Sequence, residues 1–315
     1  MKARSATTEG QPWIWSYVGA VLVWLAAIAF THGYGAGGML TGALALAAFS
    51  VLAGVGQMFV ITLGPGNVDL SLAANIGLAS AVSMKVMAGS DQLIWLGLAA
   101  ALGSGILIGF ANYLLIRLLR IPPIIATLSA SFIIQSIGIS YGRGLQIKPP
   151  PAFAEFTTAS FLSLPVLSLA TVVFTVVMGM ILHRTIFGRG VLAIGQNPRA
   201  AWLAGVPVER TRAATYTLSG ALGGFNGALL AGYFRGSSLE IGDEYLLVSI
   251  ACVVIGGTSV AGGKANVLGL WGSALFLVLL QTMLNTFGVS AGIRHFITGL
   301  VILGVILAAG GQGEG

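Results

Sequence analysis

The chain has 315 residues, of which 56% are hydrophobic and only 8% are charged. Because soluble domains carry about 25% charged residues, this composition excludes a soluble globular protein and predicts an integral membrane protein. The formal net charge of +6 does not indicate nucleic-acid binding, since most cations lie where positive-inside topology places them. The single cysteine, Cys252, excludes an internal disulfide.

Ten apolar segments of spanning length follow one another along the chain. They predict an all-α, polytopic membrane protein that forms a single transmembrane domain over residues 1–315. The segments cover about residues 13–31, 39–63, 68–88, 93–119, 123–142, 162–183, 213–233, 244–262, 266–287 and 293–310. The first follows Lys2 and Arg4 and resembles a signal peptide, but no small-residue cleavage site follows it. We therefore interpret it as a retained helix that begins in the cytoplasm.

The cations orient these segments. With the N-terminus inside, ten Lys and Arg residues fall in cytoplasmic connections and five fall in outer ones. The inner set is Lys2, Arg4, Arg117, Arg120, Arg184, Arg189, Arg199, Arg210, Arg212 and Lys264, and the outer set is Lys85, Arg143, Lys148, Arg235 and Arg294. This asymmetry predicts that both termini are cytoplasmic.

The connection between the second and third segments contains Gly64-Pro65-Gly66, which breaks a helix. Asn67, Asp69 and Ser71 follow it and are suited to cap the next helix start, where an anion is favourable. A carboxylate near membrane depth is costly, so Asp69 is either such a cap or part of a translocation path. We count these three polar residues, together with Thr127 in the fifth segment, as candidates for a path or a gate.

Prolines and acids mark three further connections. Pro122-Pro123 fits the first turn of the fifth helix after a tight inner turn. The outer connection at about 144–161 contains Pro149-Pro150-Pro151 and cannot be helical through the prolines, so we predict a periplasmic loop over the outer mouth. A second outer connection is either a solvated loop or a docking rim for a soluble binding protein, and its acids are Glu240, Asp243 and Glu244.

A cytoplasmic loop rich in charge is predicted at about 184–212. Asn197-Pro198 fits a helix start, with Asn as the N-cap and Pro as the first residue, and Gly205 fits the helix end. The short helix would expose an apolar face, which suits a groove on another protein or, alternatively, the bilayer surface. The residues concerned are Asn197, Pro198, Ala200, Ala201, Trp202, Leu203, Ala204, Gly205 and Val206.

A glycine-rich inner loop separates the eighth and ninth segments. It contains Gly256, Gly257, Thr258, Ser259, Gly262, Gly263 and Lys264. A phosphate-binding loop would need a glycine in place of Thr258 and a Ser or Thr in place of Ala265, so we exclude nucleotide binding and predict a tight connection. The three histidines, at positions 32, 183 and 295, lack metal-ligand spacing, and no motif supports a Ser–His intramembrane protease.

In their joint order these elements resemble the membrane subunits of bacterial ABC importers of the ribose, xylose and arabinose type, in the superfamily shared with branched-chain amino-acid permeases. The matching residues are Val68-Asp69-Leu70-Ser71, Pro122-Pro123-Ile124-Ile125-Ala126-Thr127-Leu128, Gly188-Arg189, Ala193-Ile194-Gly195-Gln196-Asn197, Ala200-Ala201, Ala204-Gly205-Val206, Gly256-Gly257-Thr258-Ser259 and Gly262-Gly263-Lys264. The Asp-Leu-Ser element favours the carbohydrate branch. The sugar-type pattern usually has a glycine pair before this element and Val-Gly after it, and this chain has neither, so the solute stays open.

The resemblance implies a multi-pass permease of the bacterial inner membrane, without a cofactor and without enzymatic activity of its own. Its partners would be cytoplasmic ATP-binding subunits, a periplasmic solute-binding protein, a second permease subunit of the same or a paralogous kind, and the lipid bilayer, with no nucleic acid. Residues 197–206 would form a coupling helix seated in a groove of the ATPase. The solute would be a sugar or a sugar-like compound.

Two other classes of protein remain as alternatives. An ion-coupled secondary transporter of a small polar solute would need intramembrane carboxylates or unwound helices at the midplane, and Asp69 is the one candidate. A structural membrane scaffold would need neither a coupling-like helix nor a glycine-rich inner loop.

Overall fold

The computed structural model of the protein describes residues 13–142 and 147–310. Within these ranges the chain forms α-helices, two short 3-10 helices at Asp91–Leu93 and Leu239–Gly242, and one two-stranded hairpin. The helices are α1 (Ile14–Phe30), α2 (Ala36–Thr62), α3 (Leu72–Met87), α4 (Ile94–Leu119), α5 (Pro123–Gly142), α6 (Pro151–Thr158), α7 (Val166–Arg184), α8 (Ile186–Gln196), α9 (Pro198–Leu203), α10 (Val208–Tyr233), α11 (Asp243–Ile255), α12 (Gly269–Thr286) and α13 (Ala291–Gly310). The antiparallel strands are β1 (Ser160–Phe161) and β2 (Leu164–Pro165).

Each of the ten predicted apolar segments contains one helix: α1 to α5, α7, and α10 to α13. Five helical stretches in the described residues are long and apolar enough to cross a membrane, namely α2, Asp91–Leu119, α5, α7 and α12, and α1 and α3 are shorter apolar helices. The prediction of a polytopic α-helical membrane protein is therefore confirmed. The number of crossings and the side of the termini stay predictions.

The helix at the centre of the bundle is α2. Every residue from Ala47 to Thr62 is buried, and α7, α10, α11 and α12 pack around it. A helix that is apolar on all sides is stable only when other helices or lipid cover all of its faces. Neighbouring helices therefore hold the C-terminal half of α2, which positions the polar connection that follows Thr62.

Helices α4 and α10 approach each other closely along two rows of small residues. Gly105 and Gly109 of α4 face Gly220 and Gly224 of α10, at the four-residue spacing that lets membrane helices touch through their backbones. A Cβ atom on Gly105 would overlap the carbonyl oxygen of Gly220. Since α3 also packs against both helices, α3, α4 and α10 form one tightly joined group.

Two predicted connections contain more regular structure than expected, and one predicted segment contains less. The stretch predicted as a loop at about 184–212 consists of α8, α9 and the start of α10, because α10 begins at Val208 rather than near residue 213. The outer connection contains α6, which begins at the third proline, since proline fits a first helical turn. The eighth predicted segment was too long, because α11 ends at Ile255 and the glycine-rich loop begins there.

Candidate functional site

The residues between α2 and α3, Gly64–Ser71, form a non-helical polar segment inside the bundle. Gly64 and Gly66 have φ angles of 121° and 76°, which residues with a side chain rarely adopt. The predicted helix break is therefore confirmed. We call these eight residues the polar segment.

Asp69 is fully buried and lies at the centre of a hydrogen-bond network. Its Oδ1 accepts hydrogen bonds from the backbone N–H of Ser71 at 3.0 Å and from the Ser71 hydroxyl at 2.6 Å. Its Oδ2 accepts from the Ser219 hydroxyl of α10 at 2.9 Å. The amide of Asn112 in α4 donates to the Ser71 hydroxyl at 2.7 Å. The carboxylate thus connects the start of α3 to α4 and α10.

This arrangement differs from the predicted helix cap. Ser71 occupies the N-cap position of α3, but no side chain accepts a hydrogen bond from the first turn of the helix. The Ser71 hydroxyl donates to Asp69 instead, and Asn67 lies too far upstream to cap. Ser71 and Asn67 therefore do not cap α3, whereas Asp69 accepts from the backbone N–H of Ser71 at the helix start and also from Ser219 of α10, so its contacts extend beyond the predicted cap. A buried carboxylate needs several donors, and the neighbouring helices supply them.

The other end of the polar segment is held by α5 and α10. The Thr127 hydroxyl of α5 accepts from the backbone N–H of Leu70 at 3.0 Å and lies 3.1 Å from the carbonyl oxygen of Val68. The Tyr216 hydroxyl of α10 donates to Oδ1 of Asn67 at 3.0 Å. The structure thus brings all four predicted path or gate candidates into one cluster.

Sequence reasoning missed three members of this cluster, Asn112, Tyr216 and Ser219. Asn112 lies in a long apolar segment, and Tyr216 and Ser219 lie in a run of hydroxyl residues that forms no recognisable motif. Their one signal was polarity within a predicted span, which points to a function or to a buried partner. Asn112 is buried and its side-chain oxygen has no hydrogen-bond partner among the described residues.

Helix α9 has the local structure that its sequence predicts. Oδ1 of Asn197 accepts hydrogen bonds from the backbone N–H groups of Arg199 and Ala200, both at 3.0 Å, and Pro198 is the first helical residue. Gly205, at a φ of 84°, follows the helix end. Trp202 and Leu203 are 62% and 70% exposed, so this helix presents apolar surface that nothing in the described chain covers.

Helix α8 connects α9 to the membrane helices. The Thr185 hydroxyl caps it by accepting from the backbone N–H of Gly188 at 3.1 Å. Val191 and Ile194 are fully buried on its inner face, and α8 packs on α7, α2 and α10. Because α9 follows α8 after Asn197 alone, α8 determines where α9 lies.

The end of α8, the end of α2 and the glycine-rich loop meet at a junction of glycines. A Cβ atom on Gly195 would overlap the carbonyl oxygen of Thr62 and the backbone nitrogen of Gly263. The backbone N–H of Gly263 donates to the Thr62 carbonyl at 3.0 Å, and Gly262 lies against Gly64 of the polar segment. This glycine junction, Thr62–Gly64 with Gly195 and Gly262–Gly263, joins α8 to the polar segment through backbone contacts.

The remaining residues of the glycine-rich loop stabilise the connection from α11 to α12. Gly256 packs against Gly269, and the Thr258 hydroxyl accepts from the backbone N–H of Asn266 at 3.1 Å. Gly257 has a φ of 87°, which explains a glycine there. These contacts hold the connection between α11 and α12, which runs from Gly256 to Leu268.

The acidic outer connection lies at the opposite end of α10. Glu240, Asp243 and Glu244 are all exposed, and the Ser238 hydroxyl accepts from the backbone N–H of Glu240 at 3.2 Å. Partial burial and the negative charge of Glu240 raise the pKa of Asp243, which precedes the predicted eighth segment. In the described residues no three His, Cys, Asp or Glu side chains form a group that could hold a metal ion.

A bundle of long apolar helices packed through glycines, with a buried polar break, is the architecture of a multi-pass membrane protein. Residues 38–306 match the family described as branched-chain amino acid transport system / permease component, and the chain belongs to this family of ABC transporter permeases. The family match confirms the resemblance found in the sequence.

Curated relatives agree with this membership. The ribose import permease protein of Bacillus subtilis is 34% identical over 82% of this chain and 81% of its own length. The L-arabinose transport system permease protein of Escherichia coli is 31% identical over 78% of this chain and 75% of its own length. The autoinducer 2 import system permease protein of Photorhabdus temperata is 29% identical over 76% and 74%. No solved structure matches the chain.

Proposed function

We propose that this protein is the transmembrane subunit of an ATP-driven ABC importer that carries a sugar or sugar-like solute across the bacterial inner membrane. The family and the names of the relatives, which import ribose, arabinose and autoinducer 2, support the class and the kind of solute. The observation that carries the proposal is the exposed apolar surface of the capped helix α9.

The proposed assembly has the partners that such an importer needs. Cytoplasmic ATP-binding subunits hydrolyse ATP, a periplasmic solute-binding protein delivers the solute, and a second permease subunit of the same or a paralogous kind completes the membrane part. The ten helices cross the bilayer with both termini inside, so that α9 faces the cytoplasm. Trp202 and Leu203 then enter a groove of the ATPase as a short amphipathic helix would.

The glycine junction is the route by which movement of α9 reaches the bilayer interior. A displacement of α9 moves α8, because one residue connects them. Gly195, at the end of α8, touches Thr62 and Gly263 through backbone atoms, so at this contact no change of side-chain rotamer can absorb the movement. The polar segment begins at Gly64, two residues after Thr62. Packed elements that cannot deform gradually switch between discrete positions, as alternating access requires.

The polar segment serves as a gate element in this proposal. Asp69 already accepts hydrogen bonds from Ser71 and Ser219, so it has little capacity left to bind a solute in this conformation. Because the binding protein supplies solute affinity, the permease needs no tight site of its own. The alternative, ion-coupled transport, rests on Asp69 as the carboxylate that takes up the ion.

The proposal is tested by co-expressing the chain with the ATPase of its operon and purifying both through a tag on the permease. Leu203→Asp places a charge on the exposed face of α9, and Leu162→Asp is a matched control at a leucine that is 83% exposed in the outer hairpin. We expect Leu203→Asp to abolish ATPase co-purification and uptake, while Leu162→Asp retains both. Retained ATPase and normal uptake in Leu203→Asp would contradict the assignment of α9.

A further inference from the structure

A basic cavity of about 560 Å³ lies where the ends of α4, α5 and α10 meet, beside the polar segment. Arg117, Arg120 and Arg212 line it, and Glu209 is the one acid among its lining residues. The cavity therefore carries an excess of two positive charges. Its arginines belong to the set that positive-inside topology places at the cytoplasmic surface.

The single carboxylate does not neutralise this cavity. Oε1 of Glu209 lies 3.3 Å from Nη1 of Arg212, and its Oε2 lies 3.7 Å from Nε of Arg117. The Tyr113 hydroxyl also donates a hydrogen bond to Oε2 of Glu209, at 3.2 Å. Arg120 makes neither an ion pair nor a side-chain hydrogen bond with any described residue. The cavity thus offers one free guanidinium and a second that shares its carboxylate.

An apolar groove between α4 and α5 runs alongside the same end of α4. It has a volume of about 510 Å³, and along α4 it extends from Leu107 to Leu119, the residue before Arg120. The twelve helical rises from Leu107 to Leu119 correspond to about 18 Å, roughly the thickness of one leaflet of the hydrocarbon core. Leu107 and Leu118 on its rim are each 70% exposed. The groove has the length and the surface that one acyl chain requires.

We propose that the groove and the basic cavity together bind an anionic phospholipid of the inner leaflet. The acyl chain lies between α4 and α5, and the phosphate contacts Arg120 and Arg117. Basic pockets between helices at the cytoplasmic side suit anionic head groups, because each arginine near the surface contributes about 1 kcal/mol. The charge at one end of the groove distinguishes an anionic lipid from a second copy of this chain, because a copy packed through the same face would present the same three arginines to the cavity.

The position of this lipid links it to the polar segment. Asn112 lies in the groove and donates to Ser71, and Asn67 and Tyr216 line the basic cavity. The bound lipid would therefore touch α4, α5 and α10, which all hold the polar segment. This inference concerns lipid binding alone and does not depend on the role of α9.

The test is native mass spectrometry of the full chain, purified in a neutral detergent and titrated with palmitoyl-oleoyl phosphatidylglycerol or the matching phosphatidylcholine. We expect preferential binding of phosphatidylglycerol, about fivefold weaker in Arg120→Gln. Arg184→Gln removes the same charge from an exposed inner position that lines neither cavity, and we expect no change. Equal losses in the two variants, or equal affinity for both lipids, would overturn the proposal.

Two further arms separate the lipid from other occupants. Ala111→Trp fills the groove without altering charge and should also weaken binding of phosphatidylglycerol at least fivefold, whereas Leu96→Trp on the exposed start of α4 should not. If Ala111→Trp instead converts a dimer of the chain into a monomer, the groove is a subunit interface and the proposal fails. If inorganic phosphate at millimolar concentration displaces the bound lipid, the cavity is a site for soluble anions and the proposal also fails.

Discussion

The polar segment and helix α9 differ from their surroundings in opposite ways. The polar segment carries hydroxyl, amide and carboxylate groups into a buried position, whereas α9 carries Trp202 and Leu203 to an exposed one. Buried polar groups are costly unless they find internal partners, and the structure supplies these from α4, α5 and α10. Exposed apolar groups find no internal partner. The comparison indicates that the Asp69 carboxylate is satisfied within the chain, whereas the apolar face of α9 is left for a surface outside it, which we propose to be the ATPase.

The largest expected effect breaks the internal network. Asp69→Ala leaves the hydroxyls of Ser71 and Ser219 and the N–H of Ser71 without their acceptor, at about 1–3 kcal/mol for each buried donor. We expect little folded protein, measured as monodisperse yield by size-exclusion chromatography in detergent. Asp69→Asn keeps one acceptor oxygen and should retain more. Equal, wild-type yields of both variants would show that the network does not stabilise the fold.

The second effect concerns the connection between the two regions. Gly195→Ala forces a methyl group against the Thr62 carbonyl and Gly263, and overpacking of this kind costs about 1–3 kcal/mol. We expect loss of uptake even where the protein is still made. Gly190→Ala on the same helix meets its nearest atom, Cγ1 of Val206, at 3.4 Å and should transport normally. If both variants transport alike, the glycine junction does not transmit movement.

A smaller effect concerns the start of α9. Asn197→Ala removes the acceptor for the N–H groups of Arg199 and Ala200, and loss of a cap costs about 1 kcal/mol. We expect roughly fivefold weaker binding of the ATPase, since part of the binding energy must then order the helix. Asn197→Asp retains the cap and should bind nearly as the wild type does. A titration of the solubilised permease with purified ATPase measures both.

The smallest expected effect on stability tests most directly whether the exposed face of α9 serves a partner rather than the fold. Trp202 is exposed, so Trp202→Ala should change the free energy of unfolding of the isolated chain by no more than about 0.5 kcal/mol. The same variant should weaken ATPase binding strongly, because aromatic anchors dominate interfaces. A thermal midpoint several degrees lower in the isolated chain would mean that Trp202 packs within the permease.

The sequence was sufficient to predict what depends on neighbouring residues. The ten apolar segments, the break at Gly64-Pro65-Gly66 and the cap at Asn197 are all set by local chemistry, and the structure contains them. Helix α8 could not be distinguished from the surrounding loop in the sequence, because its apolar face is explained only by packing against α7 and α2.

The tertiary partners of Asp69 could not be predicted from the sequence. Ser219 lies 150 residues from Asp69 and Asn112 lies 43 residues away, so no spacing rule connects them. Gly195 and Thr62 are likewise far apart in sequence, so their contact could not be predicted either. Glycine is common throughout this chain. The sequence does not distinguish a glycine that a close backbone contact requires from a glycine at a position where a larger residue would also fit.

Helix α10 contains 26 residues and is therefore about 39 Å long, enough to cross the hydrocarbon core of a bilayer. One end lies just after α9, and at the other end Gly232 packs against Phe153 of the outer helix α6. If α10 pivots about its close contact with α4, it behaves as a lever arm. A tilt of about 5° then displaces one end relative to the other by roughly 3 Å, given a rise of 1.5 Å per residue. A displacement of the α9 end of α10 by less than one helical turn would thus move the end that packs on α6, because the rigid helix transmits it directly.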